Sequence, residues 1–250
     1  MTYPTPPPAA PAPGWVDQPR PVWKPKVTLV LMGLTIGTFV LQMVTQAVLG
    51  VDYPGALGMK VNELISRGQL WRLIVPMFLH RDLLHIGFNM YALYAIGPGL
   101  ERYYGSGRFL TLYLLSGFCG NVFSYMFSAA PSLGASTAIF GLIGAEGVFL
   151  YQNRRIFGPL AQRSLVNLIL IAVVNLVIGM SPGIDNWGHI GGLIGGTMFA
   201  WMAGPRFQLQ EGPYRPGLVD QRGAGDAVRA ALIVGALFII LAGTKFYLGN

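Results

Sequence analysis

Long runs of apolar residues, separated by short polar segments, limit what this chain can become. The run from Val27 to Gly50 contains 24 residues and no charge, and about 20 apolar residues are enough to cross the hydrocarbon core of a bilayer. Only 11% of the residues are charged and 53% are hydrophobic, whereas charged residues make up about 25% of an average soluble domain. The sequence therefore predicts an integral membrane protein.

Six further apolar runs follow the first, so that the sequence predicts seven membrane spans. A twelve-residue apolar stretch at 68–79 is too short to span and contains Arg72 and Pro76, so we expect it to form an interfacial element in a loop. The predicted spans are 27–50, 83–100, 109–130, 134–152, 164–180, 187–203 and 229–247.

The spans divide the chain into four predicted segments. Residues 1–26 hold nine of the 18 prolines and show no apolar periodicity, which predicts a disordered proline-rich tail. The run that follows is too long for the core of a signal peptide. We expect a six-helix core at 27–203, a linker at 204–228 and a seventh transmembrane helix at 229–250.

The basic residues indicate how the spans are oriented. With the N-terminus inside, 12 of the 17 Lys and Arg residues fall in inside segments, as expected from the retention of basic residues on the cytoplasmic side. We therefore predict a multi-pass protein of the cell membrane with a cytoplasmic N-terminus, tail and linker. This distribution also explains the net charge of +7. The sequence has no long run of basic residues of the kind that indicates nucleic-acid binding.

Unusual polar residues occur near the outer ends of the second, fourth and sixth spans. They are His85 and Asn89, Ser136, and His189. All three spans run from outside to inside, so these residues are predicted to lie at similar depth. Polar groups inside a membrane cost free energy unless they pair or face a water-filled cavity. This placement predicts a functional site.

The residue types at these positions match the needs of acyl transfer. A serine hydroxyl needs an adjacent base to become nucleophilic, and Ser136 with His189 supplies that pair. The backbone N–H of Ser136, the Asn89 amide and the His85 imidazole are candidate donors to the oxyanion. Asp185 precedes His189 by four residues and Asp82 precedes His85 by three, but both are predicted to lie in outer loops, which makes either a weak candidate to orient a base. The sequence therefore favours a two-residue catalytic pair.

Glycines in the sixth span predict a close helix contact. Gly192 and Gly196 share the helix face of His189 at spacings of three and seven residues. Small residues at such spacing let the backbones of two membrane helices approach closely. If the neighbour is the fourth span, His189 lies beside Ser136.

In this order, the motifs resemble those of the rhomboid family of intramembrane serine proteases. The resemblance covers about residues 27–203, and its motifs are Trp71–Arg72, the HxxxxHxxxN pattern of His80, His85 and Asn89, ERYYGSGR at 101–108, GAS at 134–136, and GHIGGLIGG at 188–196. One departure is Thr137, which stands where the family pattern GxSG has its second glycine.

The resemblance implies a rhomboid-like six-helix core with one additional helix, an all-α membrane bundle. It also implies that Ser136 is the nucleophile, that His189 is its general base and acid, and that His85 and Asn89 stabilise the oxyanion. The implied reaction is cleavage of other membrane proteins near the outer ends of their transmembrane segments, without a metal or other cofactor. A lateral gate beside the fifth span is a further implication.

Two other functions remain open from the sequence. The chain could be a non-catalytic membrane-protein binding module on the same scaffold, with Thr137 preventing catalysis. It could also be a transporter that uses His85 and His189 as a proton relay, although no internal repeat favours this. A metal protease is disfavoured because no two-histidine, one-carboxylate pattern occurs.

Overall fold

A computed structural model describes residues 23–210 and 217–248. Within these residues, seven long helices overlap the seven predicted spans in a mostly helical membrane bundle. They are α1 (Lys26–Leu49), α4 (Leu83–Tyr104), α5 (Ser106–Phe127), α6 (Ser136–Gln152), α7 (Arg154–Ile178), α8 (Asn186–Ala203) and α9 (Ala224–Leu248). The largest difference is that α7 begins ten residues before the predicted span 164–180. Residues 1–22 of the predicted 1–26 tail lie outside the described residues, and so do residues 211–216 of the predicted linker.

Four of the described helices are long and apolar enough to cross a membrane by their own composition: α1, α5, α7 and α9. The other long helices are shorter or more polar. α6 and α8 have 17 and 18 residues, at the lower end of the usual span length, and α4 includes Glu101 and Arg102. Half or more of the residues in α6 and α8 are buried, so these two helices depend strongly on protein contacts.

The long first loop contains the small helices α2 (Tyr53–Gly58) and α3 (Asn62–Ser66) and two 3-10 turns, Leu70–Leu73 and Val75–Phe78. The stretch predicted to be interfacial forms the two turns. Arg72 is 2% exposed and donates to the backbone oxygens of Ala56 and Met59, while Met77 is fully buried. Part of this stretch therefore belongs to the protein core. The Arg72 guanidinium binds it to the backbone of the earlier segment at Ala56 and Met59.

Helices α5, α6 and α8 pack together at the centre, and α1, α4, α7 and α9 surround them. On the predicted cytoplasmic side, Glu101 accepts hydrogen bonds from the backbone N–H groups of Val27 and Thr28 and from the Ser106 hydroxyl. This carboxylate joins the start of α1 to the α4–α5 junction. It satisfies helix-terminal N–H groups that would otherwise be orphaned.

The segment predicted as a linker contains an antiparallel hairpin of β1 (Phe207–Gln210) and β2 (Gly217–Asp220). Asp220 pairs with Arg108 at 2.6 Å. The Asn153 side-chain amide donates to the Pro205 carbonyl and accepts from the Phe207 N–H. These contacts attach the hairpin to the ends of α5 and α6. The extended connection has too few residues in strand pattern to be recognised from the sequence.

Candidate active site

Ser136 is the first residue of α6, and the backbone before it has an unusual conformation. Gly134 has a φ of 136°, in the region that favours glycine, and its N–H donates to the Pro76 carbonyl at 2.9 Å. The chain thus turns sharply before the helix begins. The turn leaves the Ser136 backbone N–H at a helix N-terminus, where it has no partner within the helix.

His189 lies in the first turn of α8 and faces Ser136. Asp185 caps this helix by accepting from the Gly188 N–H at 3.0 Å. His189 Nε2 is 2.9 Å from Ser136 Oγ, and its imidazole stacks on Phe140 with ring centroids 4.3 Å apart. The ring is therefore held in one plane, with one nitrogen directed at the serine oxygen.

The other nitrogen of His189, Nδ1, is buried and has no hydrogen-bond partner within residues 23–210 and 217–248. Asp185 is bound to the helix N-terminus instead. The geometry is that of a Ser–His pair without an acidic third member in the described part of the chain. The Asp82 carboxylate likewise caps α4, by accepting from the His85 N–H.

A glycine interface holds α8 against α6. We use this name for Gly188, Gly192 and Gly196 of α8 together with Thr137 and Gly141 of α6. A Cβ at Gly192 or Gly196 would collide with the Thr137 or Gly141 backbone, and one at Gly141 would lie 2.9 Å from the Gly192 oxygen. The close helix contact predicted for the sixth span is confirmed, and the structure shows that the fourth span is a partner in it.

His85 and Asn89 lie on the neighbouring helix α4. The His85 Cε1 and Nε2 atoms are each 2.7 Å from the place a Cβ would take on Gly134. The imidazole edge therefore lies against the turn that precedes Ser136, and only glycine leaves room for it. Asn89 is 5% exposed and donates to the His85 carbonyl at 2.9 Å.

His80 supports this turn from the loop side. It is 1% exposed, its ring centroid is 4.9 Å from that of His85, and its Nε2 accepts from the Ala135 N–H at 3.4 Å. Burial, reinforced by His85, lowers the pKa of His80 to about 3. The imidazole is therefore neutral at physiological pH, as an accepting nitrogen must be.

Thr137 departs from the family pattern, but its side chain packs between helices. It is 4% exposed. A Cβ on Gly120 would lie 2.6 Å from Thr137 Cβ, and one on Gly188 would lie 3.0 Å from Thr137 Cγ2. The branched side chain therefore fills space between α5, α6 and α8. In this arrangement the absence of a second glycine changes helix packing.

Sequence reasoning missed Gln42 of α1, which accepts a hydrogen bond from the backbone N–H of His80. A glutamine in an apolar span was the available signal, but Gln46 in the same span gives the same signal, and the partner of Gln42 is 38 residues away. Within the described ranges, no cluster of three His, Cys, Asp or Glu residues is placed to hold a metal ion.

Comparison with known proteins identifies the family. Residues 67–206 match the family model of the Rhomboid domain. The chain is 42% identical over 179 residues to the protein named rhomboid protease GluP of Bacillus subtilis, covering 71% of this chain and 34% of that protein. It is 39% identical over 153 residues to RHOMBOID-like protein 7 of Arabidopsis thaliana, covering 60% and 49%.

A third relative, RHOMBOID-like protein 1 of Arabidopsis thaliana, is 34% identical over 192 residues, which cover 73% of this chain and 49% of that protein. The chain thus spans half or less of the length of these relatives. The domain match covers more than half of the chain, over the region that contains Ser136 and His189. This multi-pass membrane protein belongs to the rhomboid family.

Proposed function

We propose that this chain is an intramembrane serine endopeptidase that uses Ser136 as nucleophile and His189 as general base and acid. The observation that carries the proposal is the 2.9 Å separation of Ser136 Oγ and His189 Nε2. The two residues are 53 positions apart in the chain. The similarity to a protein named as a rhomboid protease supports the same reaction class.

The reaction follows from the position of these two groups. As Ser136 Oγ bonds to the scissile carbonyl carbon, His189 Nε2 takes the hydroxyl proton, and the carbonyl π electrons move to the oxygen. When the tetrahedral intermediate collapses, the C–N bond breaks and His189 returns the proton to the leaving amine. Water then attacks the Ser136 ester with His189 again as base, which releases the acid and regenerates the serine.

The oxyanion requires donors that are in place before the reaction. We propose the backbone N–H of Ser136, the His85 imidazole and the Asn89 amide for this role. The α6 N-terminus adds a favourable dipole for a negative charge. The His85 edge beside Gly134 and the buried Asn89 one turn later support this assignment.

The substrates we propose are transmembrane segments of other membrane proteins, cleaved near their outer ends. A helical substrate hides its amides in i to i+4 hydrogen bonds, so small or helix-breaking residues near the cut should favour local unwinding. The corresponding topology is a cell-membrane protein with a cytoplasmic N-terminus, which places Ser136 below the outer surface. Twelve of 17 basic residues on one side support that orientation.

Cleavage by the purified protein in liposomes tests this function. The substrate is a single-span protein with small residues near its outer end, and products are identified by mass spectrometry. We expect cleavage by the unmodified protein and by Ser132→Ala, which alters a loop serine four residues away, and none by Ser136→Ala or His189→Ala. If both unmodified protein and Ser136→Ala bind such substrates and neither cleaves them, the binding-module function replaces the protease.

A further inference from the structure

Helix α1 contributes a buried amide to the side of the molecule where Ser136 lies. Gln42 is 3% exposed, although only 28% of the most apolar window of α1 is buried. An amide in an apolar environment costs free energy unless its hydrogen bonds are satisfied. The partners of this amide therefore indicate what it does.

Both ends of the Gln42 amide are bonded, to two different parts of the first loop. Its Nε2 donates to Asp52 Oδ2 at 2.8 Å, and its Oε1 accepts from the backbone N–H of His80 at 3.0 Å. Asp52 is itself fixed, because its other oxygen accepts from the Gly55 N–H at the start of α2. Gln42 thus joins the His80 backbone to an anchored carboxylate.

His80 connects the Gln42 amide to the candidate active site. Its Nε2 accepts from the N–H of Ala135, the residue before Ser136, and its ring lies edge-on to His85. A shift of the His80 backbone would therefore move two proposed components of the oxyanion site, the Ser136 N–H and the His85 imidazole. Displacements of about 1 Å are enough to cost roughly 100-fold in rate.

We propose that Gln42 is a positioning residue that holds His80 against Ala135 and His85 and thereby aligns the groups around Ser136. The effect of Gln42 on rate rests on the proposed protease function, but its effect on the Ala135 hydrogen bond does not. Measuring that hydrogen bond therefore tests the positioning role separately from the protease function. Gln42 touches neither Ser136 nor His189 in the contacts above, so it acts only through His80.

The test compares Gln42→Met with Gln46→Met. Gln46 is one turn further along α1 and exposed, and its amide bonds Gly50 within the same loop. In Gln42→Met we expect kcat to fall by about tenfold or more with KM within about twofold, and the Ala135 amide to exchange about tenfold faster by hydrogen–deuterium exchange at single-amide resolution. Gln46→Met should match the unmodified protein in all three measurements.

A swapped pair distinguishes positioning from a loss of folding. In Gln42→Glu/Asp52→Asn, the new amide donates to the new carboxylate, which still accepts from the His80 N–H. We expect this variant to recover kcat and Ala135 exchange to within about threefold of the unmodified protein. Gln42→Glu alone opposes two carboxylates and should remain impaired in both measurements.

The inference is overturned if Gln42→Met keeps the original Ala135 exchange rate, or if the swapped pair folds with an unchanged Tm and recovers neither measurement. If the unmodified protein cleaves nothing, the proposed function fails. Exchange at Ala135 then still decides whether Gln42 positions His80.

Discussion

Helices α6 and α7 follow each other directly in the chain and are packed in opposite ways. From Thr137 to Ile143 every residue of α6 is buried, and this helix meets α8 backbone to backbone at the glycine interface. In α7 only 11% of the most apolar window is buried, and the helix is interrupted at Gly158, whose φ is 58°. One helix is held by protein contacts, and the other mainly faces lipid.

The difference suggests where the protein requires rigidity. A Ser–His pair works only if the two side chains keep their separation, and the helices that carry Ser136 and His189 cannot slide without a backbone collision. α7 has little packing to lose if it moves, since lipid tails are as apolar as its side chains. The gate beside the fifth span that the family resemblance implies would require a helix with as little packing as α7 has.

The largest expected effect comes from breaking the glycine interface. Gly192→Val places a branched side chain against the Thr137 backbone, which cannot move aside as a flexible side chain can. We expect a loss of about 4 kcal/mol or more, seen as aggregation or a strongly lowered Tm in detergent. Gly33→Val, in α1 with open space around it, is the control, and equal Tm values for the two variants would contradict the contrast.

A buried lysine beside the packed centre predicts a pH effect. Lys60 is fully buried and donates to the carbonyls of Ser128 and Ala130 near the end of α5. Burial, with a smaller effect of Lys245 and against the attraction of Asp185, lowers the pKa of Lys60 to about 8 from 10.5.

Between about pH 8 and pH 10.5, the two pKa values of Lys60, the unfolded chain binds the proton and the folded chain does not, so stability rises with pH. Across this whole range the free energy of unfolding increases by up to about 3 kcal/mol. Below about pH 7, Lys60 contributes no pH dependence. Thermal unfolding from pH 7 to 10 should show the rise in the unmodified protein and a smaller rise in Lys60→Met. Identical slopes would refute the assignment.

Thr137→Gly sharpens the comparison at the point where the chain departs from the family pattern. Because Thr137 fills space between helices, its removal should cost about 1–2 kcal/mol, from the cavity and from glycine in a helix. Cleavage per folded molecule should not increase. Thr137→Ala separates the cavity from the glycine effect, and a higher kcat in either variant would mean that the side chain obstructs substrate.

The smallest expected effect is on the lipid-facing helix. Val173 of α7 is 51% exposed and Val148 of α6 is 6% exposed, so the same substitution to alanine can be made in both. We expect Val148→Ala to lose about 1–2 kcal/mol and Val173→Ala to stay within about 0.5 kcal/mol. Equal losses by thermal or denaturant unfolding would show that α7 is packed as firmly as α6.

The sequence predicts the long helices and the candidate site because both depend on local signals. Apolar runs of membrane length predict all seven long helices in the described residues, and the glycine spacing in α8 predicts a close helix neighbour without identifying it as α6. Ser136 and His189 stand out as polar residues at the ends of apolar runs. The sequence alone could not establish that their side chains lie 2.9 Å apart, because this distance depends on how two helices that are distant in the chain pack together.

The features that sequence reasoning missed depend on single long-range contacts. Gln42 and Arg72 are buried polar side chains whose partners lie in the first loop, at separations of 10 and 38 residues for Gln42 and of 13 and 16 residues for the carbonyls bound by Arg72. No periodic pattern marks such pairs. The β1–β2 hairpin depends on its bonds to Arg108 and Asn153. The direction of the Thr137 side chain depends on space left by glycines of two other helices.

Covalent labelling of Ser136 tests the central claim most directly. A fluorophosphonate reacts with a serine only when a base activates it, and mass spectrometry identifies the labelled residue among several serines. We predict an adduct on Ser136 in the folded protein, lost in His189→Ala at unchanged Tm, with Ser116, Ser124 and Ser132 unlabelled. An adduct on Ser136 that forms equally fast in His189→Ala would contradict the proposed pair.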